Sequence, residues 1–124
     1  MADVTFLYRP VNQAELGLIA ASGWRAFPPR LPKQPIFYPV LNEAYAVQIS
    51  RDWNVPHYGV GYVVRFGVDA EYLRRFPVQN VGDRHHNELW VPAEELPEFN
   101  QHLQGLLEIT HTFQRQAQPP SPQA

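Results

Sequence analysis

Hydrophobic positions along the chain recur with two different periods, and each period predicts a different kind of element. Helical spacing covers residues 12–22 and 42–53, and each segment begins at an asparagine that can cap a helix. A shorter late helix is predicted for residues 92–103, with Pro97 in its first turn and Gly105 as its end. The pattern therefore predicts two early helices and one short late helix.

Alternation of apolar and polar residues predicts the strands. The strongest signal is GVGYVVRFGV at residues 59–68, and the late segments 87–91 and 106–113 alternate in the same way. Three shorter strands are also expected, at residues 4–9, 36–40 and 77–82. Because the order is β, α, β, α and then mainly strands, we predict an α+β fold with an antiparallel sheet rather than a parallel one.

A proline-rich connector, WRAFPPRLPKQP, separates the first helix from the next strand. Its prolines should keep it extended and stiff. We expect Trp24 and Phe27 to anchor this connector to the hydrophobic core; the alternative is a proline-rich patch that faces a partner, with these two residues as its anchors. Trp53, at the end of the second helix, is also expected in the core.

Composition predicts one folded domain over residues 1–113, followed by a disordered Pro- and Gln-rich tail over residues 114–124. The 10 basic and 12 acidic side chains give a formal net charge of −2, which does not suggest a polyanion-binding surface. The absence of cysteine excludes disulfides and a thiolate nucleophile. No apolar run approaches the roughly 20 residues of a membrane span, and the N-terminus does not resemble a secretion signal. We therefore expect a soluble cytoplasmic protein with no membrane partner.

A glutamate interrupts the apolar strand in HHNELWVPAEEL. Strand alternation places Leu89 and Val91 on one side and Glu88 and Trp90 on the other. A carboxylate at the point where a strand enters a core has two interpretations. It is either a catalytic group or a charge that serves the structure of the protein. The second interpretation makes Glu88 an edge-strand charge or the ion-pair partner of Arg65.

Two further positions combine reactive chemistry with an apolar strand, namely Arg9 in FLYRP and Tyr38 in IFYPV. Both lie at strand ends, so we expect Arg9, Tyr38 and Glu88 to line one concave site on one face of the sheet. His85 and His86 do not predict a metal site, because neighbours on a strand project to opposite faces and zinc needs three or four convergent ligands.

The order of these residues resembles the ADP-ribosyltransferase family. An arginine ends the first strand in LYR, an aromatic pair precedes an Ala-rich helix in FYPVLNEAYAVQIS, and a glutamate opens a late strand in NELWVPAEEL. The resemblance covers residues 4–113 and implies an ADP-ribosyltransferase-like fold with a split, mostly antiparallel sheet. The chain also resembles a set of short bacterial proteins labelled ADP-ribosylation/crystallin J1.

Members of that family cleave the nicotinamide–ribose bond of NAD, their substrate, and transfer ADP-ribose to an acceptor. By resemblance, Glu88 is the catalytic residue, and Arg9 and Tyr38 bind NAD. Trp90 and His86 are expected to complete the NAD site, and the acceptor is an unidentified protein or nucleic acid. These residue types suit the chemistry: a carboxylate stabilises positive charge on the ribose, a guanidinium binds pyrophosphate, and an aromatic ring stacks on nicotinamide.

Two features depart from the family pattern. Residues 38–40 are Tyr-Pro-Val where the arginine-modifying branch has Ser-Thr-Ser, and His86 stands where Gln or Glu is often found.

Two alternative functions remain open. One is a catalytically silent module of the same fold that binds a nucleotide or a protein partner. The other is an RNA 2′-phosphotransferase-like enzyme, which the near-neutral charge of the chain disfavours.

Overall fold

The structure, a computed structural model, describes residues 3–115 of the chain. The helices are α1 (Gln13–Ala21), α2 (Glu43–Ile49), α3 (Val55–Tyr58), α4 (Ala70–Leu73) and α5 (Leu96–Gln101). A π-helical turn, Ser50–Asn54, joins α2 to α3, and a 3-10 turn, Ala93–Glu95, leads into α5. The strands are β1 (Val4–Val11), β2 (Ile36–Phe37), β3 (Val60–Asp69), β4 (Val78–Asn80), β5 (Asn87–Leu89), β6 (Val91–Pro92) and β7 (Leu103–Gln114).

Strand β3 is the centre of a three-stranded antiparallel sheet, with β1 on one side and β7 on the other. Two further antiparallel pairs form between β2 and β6 and between β4 and β5. Val40 connects the three-stranded sheet to the β4–β5 pair, because it forms one β-bridge with Tyr8 of β1 and another with Glu88 of β5. All named strand pairs between residues 3 and 115 are antiparallel, which confirms the predicted α+β class with an antiparallel sheet.

The predicted strand IFYPV is interrupted in the structure. Only Ile36–Phe37 pairs with β6, and Val40 pairs with Glu88 further along in the same register. Pro39 lies between these points and has no backbone N–H, so a continuous ladder cannot form there. Its carbonyl still accepts a hydrogen bond from the backbone N–H of Leu89 at 2.9 Å.

The sheet has a hydrophobic cluster on each face. The larger cluster packs against α1 and contains four phenylalanines in contact with one another, Phe27, Phe37, Phe66 and Phe99. The smaller cluster packs against α2 and is centred on Val40, Ala46 and Val63. Because neighbouring strand residues point to opposite sides, Val63 lies on this α2 face while Val64 lies on the α1 face.

The connector is anchored as the sequence predicts. Phe27 is buried in the larger cluster, and Trp24 packs against that cluster. The carbonyl of Trp24 also accepts a hydrogen bond from the backbone N–H of Leu107 in β7 at 2.8 Å. The proline-rich segment is therefore held across the α1 face rather than extending away from it.

The second predicted helix continues beyond its expected end. After the π-helical turn it runs to Tyr58, and Gly59, with φ of +82°, ends it. The prediction that Trp53 is a core residue is wrong, since it is 58% exposed and stacks on His57 with 4.1 Å between ring centroids. A π-helical turn contains an extra residue and shifts the helical phase, so the predicted inner face does not extend to Trp53.

Two predicted boundaries also differ. The late helix ends at Gln101 rather than at Gly105, which lies inside β7 with φ of +78°. Strand β7 includes Gln114, the first residue of the predicted tail. The part of that tail at residues 116–124 lies outside the described residues.

Candidate functional site

A groove of about 380 Å³ lies on the α2 face between β1, α2 and the ribbon made by residues 36–41 and 87–92. Its walls and floor come from seven residues, Arg9, Pro10, Tyr38, Val40, Ile49, Glu88 and Trp90. Ligand pockets in proteins typically enclose about 300–1,000 Å³, so the groove is large enough for part of a nucleotide. Three residues singled out in the sequence, at positions 9, 38 and 88, thus border one concave site.

Strand alternation explains why Glu88 faces this groove. Leu89 and Val91 are buried in the phenylalanine-rich cluster, which turns Glu88 and Trp90 to the α2 face. Glu88 is only 9% exposed, and its Oε1 accepts a hydrogen bond from Nε1 of Trp90 at 2.9 Å. The sequence prediction for the sides of this strand is confirmed.

Glu88 has no cationic partner within residues 3–115. Arg65, the partner that the structural interpretation proposed, instead lies 3.8 Å from Glu108 and stacks over the ring of Phe6. The expectation that Glu88 pairs with Arg65 is therefore wrong. Burying a carboxylate without a compensating cation is unfavourable, so this position calls for an explanation other than stability.

Two exposed aromatic side chains lie next to the carboxylate in the groove. The register that puts Val40 opposite Glu88 also puts Tyr38 opposite Trp90, and the two rings are 39% and 44% exposed. Because both side chains line the groove, they are accessible to a ligand. The groove therefore combines a buried negative charge with aromatic surface, which suits a flat ring that carries positive charge.

Tyr45 of α2 lies next to the carboxylate of Glu88. Burial and then the negative charge of Glu88 raise the pKa of the Tyr45 hydroxyl, which stays protonated at neutral pH. The ring of His86 stacks on Tyr45 with 4.4 Å between centroids. His86 is thus a neighbour of the site through Tyr45, and it is not among the residues that line the groove.

Arg9 borders the groove, but its guanidinium lies on the other face of the sheet. Its Nε and Nη2 donate to the two carboxylate oxygens of Glu15 at 2.6 and 2.9 Å, and the group stacks over Phe37 on the α1 face. Its Nη1 donates to the carbonyl of Tyr38 at 3.3 Å. This differs from the expectation that Arg9, Tyr38 and Glu88 share one face, because alternation along β1 groups Arg9 with its buried neighbours Leu7 and Val11.

The sequence alone does not single out two further residues near the site. In the sequence, Glu15 has the pattern of an ordinary acidic residue in the first turn of α1, and Tyr45 that of an aromatic residue on one face of a helix. Their contacts with Arg9 and Glu88 depend on how each helix packs on the sheet. No local periodicity carries that information.

Comparisons of the chain with protein-family models, with curated proteins and with solved structures give no match. Within residues 3–115, no helix has the length and apolar character required to cross a membrane. In the same part of the chain, no group of three or more His, Asp or Glu side chains is arranged to hold a metal ion.

Proposed function

We propose that the groove binds the nicotinamide–ribose end of NAD and that Glu88 promotes cleavage of the bond between the two groups. One observation carries this proposal: a buried carboxylate without a cationic partner lines the same groove as two exposed aromatic rings. The resemblance of the motifs to ADP-ribosyltransferases assigns the same role to the same glutamate. The acceptor of ADP-ribose is an unidentified protein or nucleic acid.

The chemistry follows from the charges. In NAD the nicotinamide ring is cationic, so it is attracted to Glu88 and can stack on Tyr38 or Trp90. When the C–N bond breaks, its electron pair stays on nicotinamide, which leaves as a neutral molecule, and positive charge moves to the ribose. The carboxylate stabilises that charge more strongly than it would in water, because its surroundings are apolar. A nucleophilic atom of the acceptor then bonds to the ribose carbon and loses its proton.

Arg9 has a positioning role in this proposal. Its guanidinium is already engaged by Glu15, and its remaining hydrogen bond holds the backbone of Tyr38. It therefore fixes one aromatic wall of the groove instead of contacting pyrophosphate.

A second candidate function is a silent module that binds a nucleotide or a protein partner without catalysis. The observation that favours it is the same engagement of Arg9 with Glu15, because it leaves that guanidinium unavailable to a pyrophosphate. Both candidate functions use the same groove, but only the first includes cleavage of NAD.

Calorimetry with NAD, followed by an assay for released nicotinamide, tests both. Wild-type protein should bind NAD and release nicotinamide slowly even without an acceptor, since water can capture the ribose cation. Glu88→Gln should slow release by about 10²–10³-fold, as for other single electrostatic contacts to a transition state, and should weaken NAD binding to a smaller extent, because it also removes the attraction to the cationic nicotinamide ring. Glu94→Gln, at an exposed position of the same chain segment, is the matched control and should behave like wild type.

The outcomes separate the candidates. Binding without release in the wild type would favour the silent module. Equal release by the wild type and the Glu88→Gln variant would remove Glu88 from the mechanism. No detectable NAD binding would refute the assignment of the groove to NAD.

A further inference from the structure

A second cavity lies on the α1 face, between α1 and the proline-rich connector. Its volume is about 200 Å³, and we call it the connector pocket. Its lining includes Leu18, Leu31, Gln34 and Phe37. Most of its wall is apolar, while Arg30 and Glu15 supply charged groups.

The charges at this pocket do not balance. Arg9, Arg30 and Glu15 lie together with side chains only 10%, 13% and 17% exposed. Arg9 takes both oxygens of Glu15 at hydrogen-bond distance, whereas Nη1 of Arg30 is 4.0 Å from the nearer oxygen. Two positive charges therefore share one negative charge, and one positive charge remains.

Arg30 has unused hydrogen-bond donors. Its Nε donates to the carbonyl of Ile36 at 3.0 Å, which fixes the guanidinium beside the pocket. Neither of its terminal nitrogens has a hydrogen-bond acceptor among the side chains and backbone of residues 3–115. Burial and then the charge of Arg9 lower the pKa of Arg30 from its ordinary value, which agrees with an incompletely compensated cation. The guanidinium nevertheless keeps its proton at neutral pH.

We propose that the connector pocket binds a small carboxylate with an apolar body, held by the terminal nitrogens of Arg30. A guanidinium presents two parallel N–H groups that match the two oxygens of a carboxylate. One uncompensated positive charge matches a monoanion, whereas a phosphate monoester dianion would leave an excess negative charge. The apolar body would contact Leu18, Leu31 and Phe37. This site lies on the opposite face of the sheet from the groove and does not depend on the function proposed for it.

Butyrate and its neutral isostere butyramide provide the test, with binding followed by amide chemical shifts of the full chain. Butyrate should shift the amide signals of Leu31 and Gln34, which line the pocket. Butyramide should bind at least about tenfold more weakly, because charge-assisted hydrogen bonds are markedly stronger than neutral ones. This comparison uses the wild-type protein and needs no variant to fold.

Single-residue variants then test whether the charge of Arg30 is the one that binds butyrate. Arg30→Gln should reduce butyrate affinity by about tenfold or more, and Arg25→Gln, at an exposed position of the same connector, should leave it unchanged. Glu88→Gln should also leave it unchanged, so that failure of this proposal and failure of the NAD proposal are distinguishable.

Four results would overturn the proposal: no shift at Leu31 and Gln34 with butyrate, equal binding of butyramide, unchanged binding by Arg30→Gln, or tighter binding of inorganic phosphate than of butyrate at these residues.

Discussion

Replacing Glu15 with glutamine should destabilise the fold more than replacing Arg9 with methionine. Each change breaks the same ion pair, but the charges that remain differ. Without the carboxylate, Arg9 and Arg30 are left as two buried cations near each other. Without Arg9, the carboxylate still has Arg30 at 4.0 Å, which can move closer to it. Methionine also retains apolar contact with Phe37.

The magnitudes follow from the burial of the pair. Removing one partner of a fully buried ion pair destabilises a protein by about 3–5 kcal/mol. Because these side chains are 10% and 17% exposed, we expect a somewhat smaller loss for Glu15→Gln, about 2–3 kcal/mol. For Arg9→Met we expect about 1–2 kcal/mol, since Arg30 compensates part of the loss. The double variant should lose less than the sum, with a coupling energy of about 1–3 kcal/mol.

Urea unfolding of the wild type, the two single variants and the double variant gives all four free energies of unfolding. The measurements should be repeated at high salt, where a pair this buried should keep most of its coupling energy. If Arg9→Met destabilises more than Glu15→Gln, or if the two changes are additive within about 0.5 kcal/mol, the pair does not stabilise the fold as described. Arg9 would then again be a candidate for binding the pyrophosphate of NAD.

Two further predictions concern single side chains. Glu88→Gln should leave the free energy of unfolding unchanged or raise it by about 0.5–1 kcal/mol, because glutamine can still accept the hydrogen bond from Trp90 while an uncompensated buried charge is removed. A loss above about 1 kcal/mol in urea unfolding would mean that Glu88 supports the fold. Burial and then a hydrogen bond to Glu95 raise the pKa of the Tyr72 hydroxyl far above its ordinary value. Since the folded protein holds this proton more tightly than the unfolded chain, the resulting stability is complete below pH about 10 and is lost as the pH rises above it. Tyr72→Phe should remove part of that alkaline loss in urea unfolding at several pH values, and an unchanged pH dependence would contradict the assignment.

Local periodicity was sufficient to predict part of the fold around the candidate site. The alternation of Glu88 and Trp90 against Leu89 and Val91 could be read from the sequence, because side chains on a strand change sides with a period of two. The helix starts at Asn12 and Asn42 could also be read, since both side chains accept hydrogen bonds in the first turn. These features depend only on neighbours in the chain.

The placement of Arg9 could not be predicted in the same way. Alternation groups it with Leu7 and Val11, but it does not say which face of β1 continues the Glu88 face of β5. That correspondence is set by Val40, whose bridges to both strands fix their relative orientation. The pairing of Arg9 with Glu15 has the same origin, because it requires α1 to fold back over the strand that precedes it.

Charge compensation distinguishes the roles of the two buried ionic groups. The Arg9 guanidinium and the Glu15 carboxylate satisfy each other with two short hydrogen bonds, so their burial is explained by contacts within the chain. Glu88 is similarly buried, yet within residues 3–115 its neighbours are the neutral Trp90 indole, which donates a hydrogen bond to it, and the neutral Tyr45 hydroxyl, and no cation lies within salt-bridge distance. A chain selected only for stability would place an apolar residue at this position, since Leu89 and Val91 already anchor the strand. The carboxylate is therefore best explained by a ligand that brings the missing positive charge, and in the proposed reaction that charge is first on nicotinamide and then on ribose.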